Sequence, residues 1–136
     1  MYSIGSQYNI RFFFVLWITF YNALRVRINN TAPTATSVSF SGTTNVEQLL
    51  TGSYTYTDAD GDTEGASTYK WYRADDASGS NSAAISGANA TTYTLQAADN
   101  GKYIRFGVVP VAASGTSPGV EAYSSCNCCT TPFFRK

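Results

Sequence analysis

The sequence predicts an all-β fold, a sandwich of about seven antiparallel strands over residues 32–125. Short runs of alternating apolar and polar residues are separated by clusters of Gly, Pro, Asn and Asp, as in proteins built from strands and turns. Charged residues make up only 13% of the chain, and Ser, Thr, Asn and Gly supply a polar surface that suits strands and turns better than helices. With 136 residues and an apolar fraction of 43%, the chain can fill one hydrophobic core.

The first two strands are predicted at 36–40 and 49–57. Alternation in the first strand places Val38 and Phe40 on one face, and Pro33 just before it suits the start of an edge strand. The second strand alternates between large apolar residues and hydroxyl residues over most of its length. One face of this strand should therefore be packed and the other wet.

The third strand, 68–73, carries Trp71, the largest apolar side chain of the predicted sandwich, which we expect between the two sheets. Two short strands, 83–85 and 92–95, follow and flank a turn at 86–89. These runs are too short to show a long period, so the turn residues between them define their limits.

The last two strands are predicted at 103–111 and 120–124. The first of these alternates apolar residues against Arg105 and Gly107, which gives a central strand with a clear inward side. The predicted core comprises Trp71, Leu50, Leu95, Ile104, Phe106 and Val108.

The segment 95–103, LQAADNGKY, carries Leu95, Asp99, Gly101 and Tyr103 at a characteristic spacing. This spacing resembles the corner before strand F of immunoglobulin-like sandwiches, where a tyrosine ties down the preceding turn. Asp bonds to nearby amides and Gly accepts positive φ, which suits a tight corner. The alternation places Ile104, rather than Tyr103, on the packed side.

Residues 32–125 as a whole resemble bacterial immunoglobulin-like repeats, which occur in tandem in surface and secreted proteins. The segments that carry the resemblance are LTGSY (50–54), DADGD (58–62), WYR (71–73) and GKYI (101–104). The resemblance implies an immunoglobulin-like β-sandwich with a non-catalytic structural or adhesion role. It also implies an extracellular or cell-surface location and neighbouring repeats as partners.

Residues 1–31 form an apolar segment of different character, with FFFVLWITF at 12–20 between Arg11 and Arg25. A basic residue followed by an apolar stretch suits a secretory signal or anchor, although no small-x-small cleavage site follows. Alternatively, Ile-Arg-Phe at 10–12 repeats Ile-Arg-Phe at 104–106, so the segment could be the remnant of a preceding repeat. The segment lies outside the predicted domain in either case.

Residues 126–136 are predicted to be a cysteine-containing tail. The cysteines Cys126, Cys128 and Cys129 lie close together and outside the body of the predicted sandwich, so they cannot join its two sheets. A tetrahedral metal site normally needs four ligands, so free thiols are the favoured interpretation. The tail and the N-terminal segment could both be foreign to the domain.

Composition argues against catalysis and against nucleic acid as a partner. The chain contains no histidine, the commonest general base, and its nine basic and nine acidic side chains leave no net charge. Asp75, Asp76 and Glu64 could be paired carboxylates of a glycoside hydrolase, but nothing in the sequence fixes their separation. We therefore predict a protein that is not an enzyme.

The most specific candidate site is the acidic loop, residues 58–64, with sequence DADGDTE. Its four carboxylates, Asp58, Asp60, Asp62 and Glu64, alternate along a loop between two strands, and calcium prefers oxygen ligands of this kind. The spacing is not that of an EF-hand, because glycine comes one residue early and no glutamate follows at the twelfth position. The alternative is a hydrophilic turn in which Asp and Gly serve the backbone. Calcium is the only cofactor that the sequence suggests.

Ten tyrosines suggest a second candidate function, since an exposed row of aromatic rings can stack against sugars. Tyr69 and Tyr72 lie on opposite faces of their strand, so at least one of them should face outward. The predicted function is a spacer or adhesion module of a bacterial surface or secreted protein. The alternatives are a module that binds a surface glycan or a protein, and an accessory domain of a larger secreted enzyme.

Overall fold

The computed structural model describes residues 30–131 as two antiparallel sheets that pack face to face. The smaller sheet has the strand order β1-β2-β5, and the larger has the order β4-β3-β6-β7, with β8 also paired to β6. The strands are β1 (Thr34–Ser41), β2 (Leu49–Thr57), β3 (Thr68–Ala74), β4 (Ala83–Ala84), β5 (Thr92–Thr94), β6 (Tyr103–Val109), β7 (Ala122–Tyr123) and β8 (Asn127–Cys128). The predicted all-β sandwich is confirmed.

The core lies where the inward faces of β2, β3 and β6 meet. Trp71 pairs with Phe106 across β3 and β6, and both side chains are fully buried, as predicted. Alternation explains this placement, because every second residue of the two strands points into the gap between the sheets. The buried cluster also contains Leu50, Leu95, Ile104 and Val108.

An irregularity in β1 keeps three spaced residues on the core. The register with β2 shifts between Thr36 and Ser39, and Ser37 has a φ of +51°. The extra residue lets Ala35, Val38 and Phe40 all pack against the core, although strict alternation would separate the first from the other two. Such a bulge also makes it harder for an edge strand to pair with a strand of another chain.

The sandwich extends beyond residue 125, which corrects the predicted tail. The strand expected at 120–124 is short, and β8 pairs with the beginning of β6. Cys129 is fully buried within the core cluster, and its amide bonds to the carbonyl of Lys102 at 2.8 Å. Residues 127–130 are therefore part of the domain, because they supply both a paired strand and a core side chain.

Within residues 30–131, no helix is long and apolar enough to cross a membrane. The signal, anchor and repeat-remnant hypotheses concern residues 1–29, which lie outside the described part of the chain.

Candidate functional site

A buried carboxylate, Asp99, holds the corner that precedes β6. Its side chain is fully buried and accepts hydrogen bonds from Arg73 Nε, from the Tyr93 hydroxyl at 2.7 Å and from the Gln96 amide at 2.7 Å. Burial and the hydrogen bond to Asp99 raise the pKa of Tyr93 to about 12. Burial alone would lower the pKa of Arg73, but the hydrogen bond and charge of Asp99 outweigh it and raise that pKa. These hydrogen bonds hold Arg73, Tyr93 and the turn before β6 together, and we call the side chains of Arg73, Tyr93 and Asp99 the corner lock.

The tyrosine expected to secure this corner is not the one that does so. Tyr103 is half-buried, and its hydroxyl has no hydrogen-bond partner among the described residues, whereas Tyr93 donates to Asp99. Ile104 takes the inward position, as the alternation predicted. Gly101 has a φ of +73°, which explains the need for glycine in this turn.

The acidic loop connects β2 and β3, and each of its carboxylates already has a partner in the protein. One oxygen of Asp58 accepts the amides of Asp60 and Asp62 at 2.8 and 3.2 Å. Glu64 accepts hydrogen bonds from the hydroxyls of Tyr54 and Ser67. Burial and the bond to Glu64 raise the pKa of Tyr54.

The other two carboxylates of the acidic loop bind the chain that leads into β1. Asp60 accepts the amide and hydroxyl of Thr31, and Asp62 accepts the side-chain amide of Asn30 and the hydroxyl of Ser114. Among the described residues, no three carboxylates or thiols are grouped so that they could hold a metal ion. Calcium binding by Asp58, Asp60, Asp62 and Glu64 stays a prediction.

The outer face of the larger sheet carries a tyrosine–arginine patch, formed by Tyr72, Arg105, Glu121 and Tyr123. The Arg105 guanidinium lies 3.7 Å from the centroid of the Tyr123 ring, a cation–π geometry. The hydroxyls of Tyr72 and Tyr123 donate to the two oxygens of Glu121 at 2.5 and 2.8 Å. Burial and the bond to Glu121 raise the pKa of Tyr72.

Glycine at position 107 makes room for the tyrosine–arginine patch. A Cβ there would lie 2.9 Å from a Glu121 oxygen and 2.9 Å from the Tyr72 ring. Tyr123 remains 43% exposed, so part of an aromatic ring is available to a ligand. Tyr69, by contrast, packs against the core on the opposite face, as its parity indicated.

The remaining candidate carboxylates stabilise a turn between β3 and β4. Asp75 forms an ion pair with Lys102 at 2.8 Å, and Asp76 accepts hydrogen bonds from Ser78 and Ser80. These hydrogen bonds lower the pKa of both carboxyls. Glu64 lies in the acidic loop, so the three carboxylates do not form one site.

Sequence reasoning missed the Arg73–Asp99 pair and the role of Glu121. Arg73 has the same parity as Trp71, so its inward position was readable from β3 alone. A charged residue on an inward face requires a buried partner, which was a signal for the pair. Glu121 lies 14 residues from Gly107 in sequence and gave no local signal.

The comparisons with known proteins give one family. The AIR9 A9 domain, an immunoglobulin-like domain, matches residues 34–125, which is more than half of the chain. Neither the curated proteins nor the solved structures give a match. Domains of the immunoglobulin-like class are typically non-catalytic modules. The chain thus belongs to the AIR9 A9 domain family, and its two sheets are those of an immunoglobulin-like sandwich.

Proposed function

We propose that this domain is a spacer and adhesion module of an extracellular or cell-surface bacterial protein, joined in line with neighbouring immunoglobulin-like repeats. The observation that carries the proposal is the position of the two chain ends. The chain enters the sandwich at one pole and leaves it at the other, which suits modules connected head to tail.

The N-terminal pole is formed by the loops that follow β2 and β6. Asn30 and Thr31 bond to Asp62 and Asp60 in the first loop, and Asn30 also bonds to Thr116 in the second. The chain therefore enters the domain beside these two loops.

The C-terminal pole is formed by the loops that precede β2 and β6. The Thr130 amide bonds to the carbonyl of Thr44, and its hydroxyl bonds to Asn45. The nine residues of β2 run from this pole to the other, a rise of about 30 Å. Modules joined through these ends would add their lengths.

A tandem of two domains tests this arrangement. We would join Thr131 of one copy of residues 30–131 directly to Asn30 of the next and measure small-angle X-ray scattering in solution. An in-line tandem should have a maximum dimension about twice that of the single domain, because the strands of both domains would run along the same long axis. A compact, side-by-side pair would contradict the spacer proposal.

A second candidate function, ligand binding, is supported by the tyrosine–arginine patch. Arg73 and Lys102 each form an ion pair, whereas Arg105 and Lys70 form none within the described residues. Arg105 and Lys70 share the outer face of the larger sheet with the exposed Tyr123. A guanidinium without an anionic partner beside an aromatic ring suits a carboxylated sugar.

Binding to an acidic polysaccharide would test this second function. Polygalacturonate and its methyl ester would be compared by affinity electrophoresis with the full chain and with Arg105→Gln. We expect retardation by the acidic polymer alone, reduced at least tenfold in apparent affinity by the substitution. Lys102→Gln is the matched control, because Lys102 is already paired with Asp75. Equal retardation by both polymers, or by none, would contradict the proposal.

A further inference from the structure

We infer that the acidic loop is a linker clamp: its carboxylates hold Asn30 and Thr31 and fix the direction in which the chain enters the sandwich. Its use between neighbouring modules rests on the proposed function, whereas the clamp itself is a property of one domain. The loop thereby gains a role that needs no bound ion.

The first side of the clamp is made by two carboxylates. Asp60 Oδ2 accepts the Thr31 amide at 2.7 Å and the Thr31 hydroxyl at 2.8 Å. Asp62 Oδ2 accepts the side-chain amide of Asn30 at 2.6 Å. Hydrogen bonds to a charged acceptor are stronger than neutral ones, so these contacts hold the segment well.

The second side is made by the loop between β6 and β7. The Thr116 amide donates to the side-chain oxygen of Asn30, and the Thr116 hydroxyl donates to the Asn30 carbonyl at 2.8 Å. Ser114 donates to the other oxygen of Asp62 at 2.6 Å, which ties the two sides together. Asn30 therefore uses its backbone and both polar atoms of its side chain.

Two glycines leave space that the linker fills. Gly115 has a φ of +74°, and a Cβ there would lie 2.6 Å from Cγ of Asn30. A Cβ on Gly119 would clash with the carbonyl of Pro33, whose side chain is fully buried. Asn30 and Pro33 thus pack closely against two positions at which a side chain would collide with them.

Asp58 organises the clamp without touching the linker. By accepting the amides of Asp60 and Asp62, it sets the loop so that their carboxylates face Thr31 and Asn30. The hydrogen bonds from Ser114 and Asn30 lower the pKa of Asp62, consistent with a carboxylate that stays ionised while it holds its donors. A cation that bound Asp60 Oδ2 or Asp62 would compete with those donors, whereas the second oxygen of Asp58 is buried and has no hydrogen-bond partner among the described residues.

Backbone order parameters from ¹⁵N relaxation test the clamp in the full chain. In the unmodified protein, the amides of Asn30 and Thr31 should have order parameters near the rigid value of about 0.85. In Asp60→Ala/Asp62→Ala, we expect both to fall below about 0.6, while the core amides of Trp71 and Phe106 stay rigid.

Asp76→Ala is the matched control, because Asp76 also caps a loop through its carboxylate but follows the end of β3 that pairs with Tyr103, at the opposite pole from the linker. It should leave Thr31 ordered, and Asp60→Asn should preserve most of the order, since the amide oxygen still accepts hydrogen bonds. Unchanged order in the double variant, or disorder at Thr31 in the unmodified chain, would overturn the clamp.

A calcium titration separates the clamp from an ion site. With the clamp, millimolar calcium leaves the amide shifts of Asn30 and Thr31 in place. Saturable shifts at these amides, with loss of their order, would overturn the clamp in favour of a cation site. The spacer proposal is tested independently by scattering from the tandem, so either hypothesis can fail alone.

Discussion

At the scale of single residues, Trp71 connects the two sheets through aromatic contacts on both sides. Its ring lies 5.0 Å from Phe106 of the larger sheet and 5.5 Å from Phe40 of the smaller one, measured between centroids. Its indole N–H donates to the carbonyl of Ala90 at 3.0 Å, so the polar atom of the ring is also satisfied.

Replacing Trp71 with Ala should lower the free energy of unfolding by about 3–5 kcal/mol, because it removes the largest core side chain and leaves a cavity. Urea unfolding followed by circular dichroism measures this change. Val120→Ala is the control, since Val120 is 87% exposed and should change stability by less than about 0.5 kcal/mol. A Trp71 variant as stable as the control would contradict the core assignment.

The Arg73–Asp99 pair makes a second prediction at this scale. Arg73→Met leaves the buried charge of Asp99 without its cation, which we expect to cost about 2–3 kcal/mol. The expected loss of stability is smaller than for a fully buried ion pair, because the Arg73 side chain is 29% exposed and its charge is partly screened by solvent.

Lys102→Met is the comparison for this pair, because it breaks an exposed ion pair with Asp75 and should cost less than about 1 kcal/mol. Chemical denaturation of both variants decides the point. An equal decrease in the free energy of unfolding for the two variants would show that the buried position of Asp99 does not make its ion pair more important for stability.

At the scale of elements, the sequence predicted β2 at both of its ends and the short strands β4 and β5 to within one residue, but it missed the last strand. The bounds of β2 agree with the prediction at both ends, because its period of two runs for nine residues between turn residues. The strand β8 was missed, since two residues of a Cys-Asn-Cys-Cys run show no period. Only the tertiary pairing with β6 makes that segment a strand.

The same element gives a prediction about thiol reactivity. Cys129 is fully buried, and burial raises the pKa of its thiol, whereas Cys126 and Cys128 are half-buried. A thiol reagent at neutral pH should label Cys126 and Cys128 in the folded protein and Cys129 only after denaturation. Mass spectrometry of labelled peptides measures this, and rapid native labelling of Cys129 would contradict its place in the core.

At the scale of the whole molecule, the sequence sufficed for the fold class and the core but not for the limits of the domain. Trp71 and the alternation of β6 predicted two facing sheets, because both signals are local. Arg73 lies 26 residues from its partner Asp99, and Thr31 lies 29 residues from its partner Asp60, so no local pattern predicted the corner lock or the linker clamp.

A chain truncated after Ser125 tests the C-terminal limit of the domain. Its loss of β8 and of Cys129 should reduce stability by roughly 2–4 kcal/mol, through lost burial and unpaired β6 amides. Thermal melting would compare it with a chain ending at Thr131. Because this longer chain keeps β8 and Cys129, it should have the higher melting temperature. Equal melting temperatures of the two shortened chains would show that 126–131 contribute nothing.

Glycine in the middle of β2 constrains how this domain can diversify. A Cβ on Gly52 would lie 2.6 Å from two ring carbons of Phe106, so the phenyl ring occupies the volume that a side chain at position 52 would need. A homologue with a larger side chain at position 52 must therefore have a smaller side chain than phenylalanine at position 106. We therefore expect the residues at positions 52 and 106 to change together among related sequences.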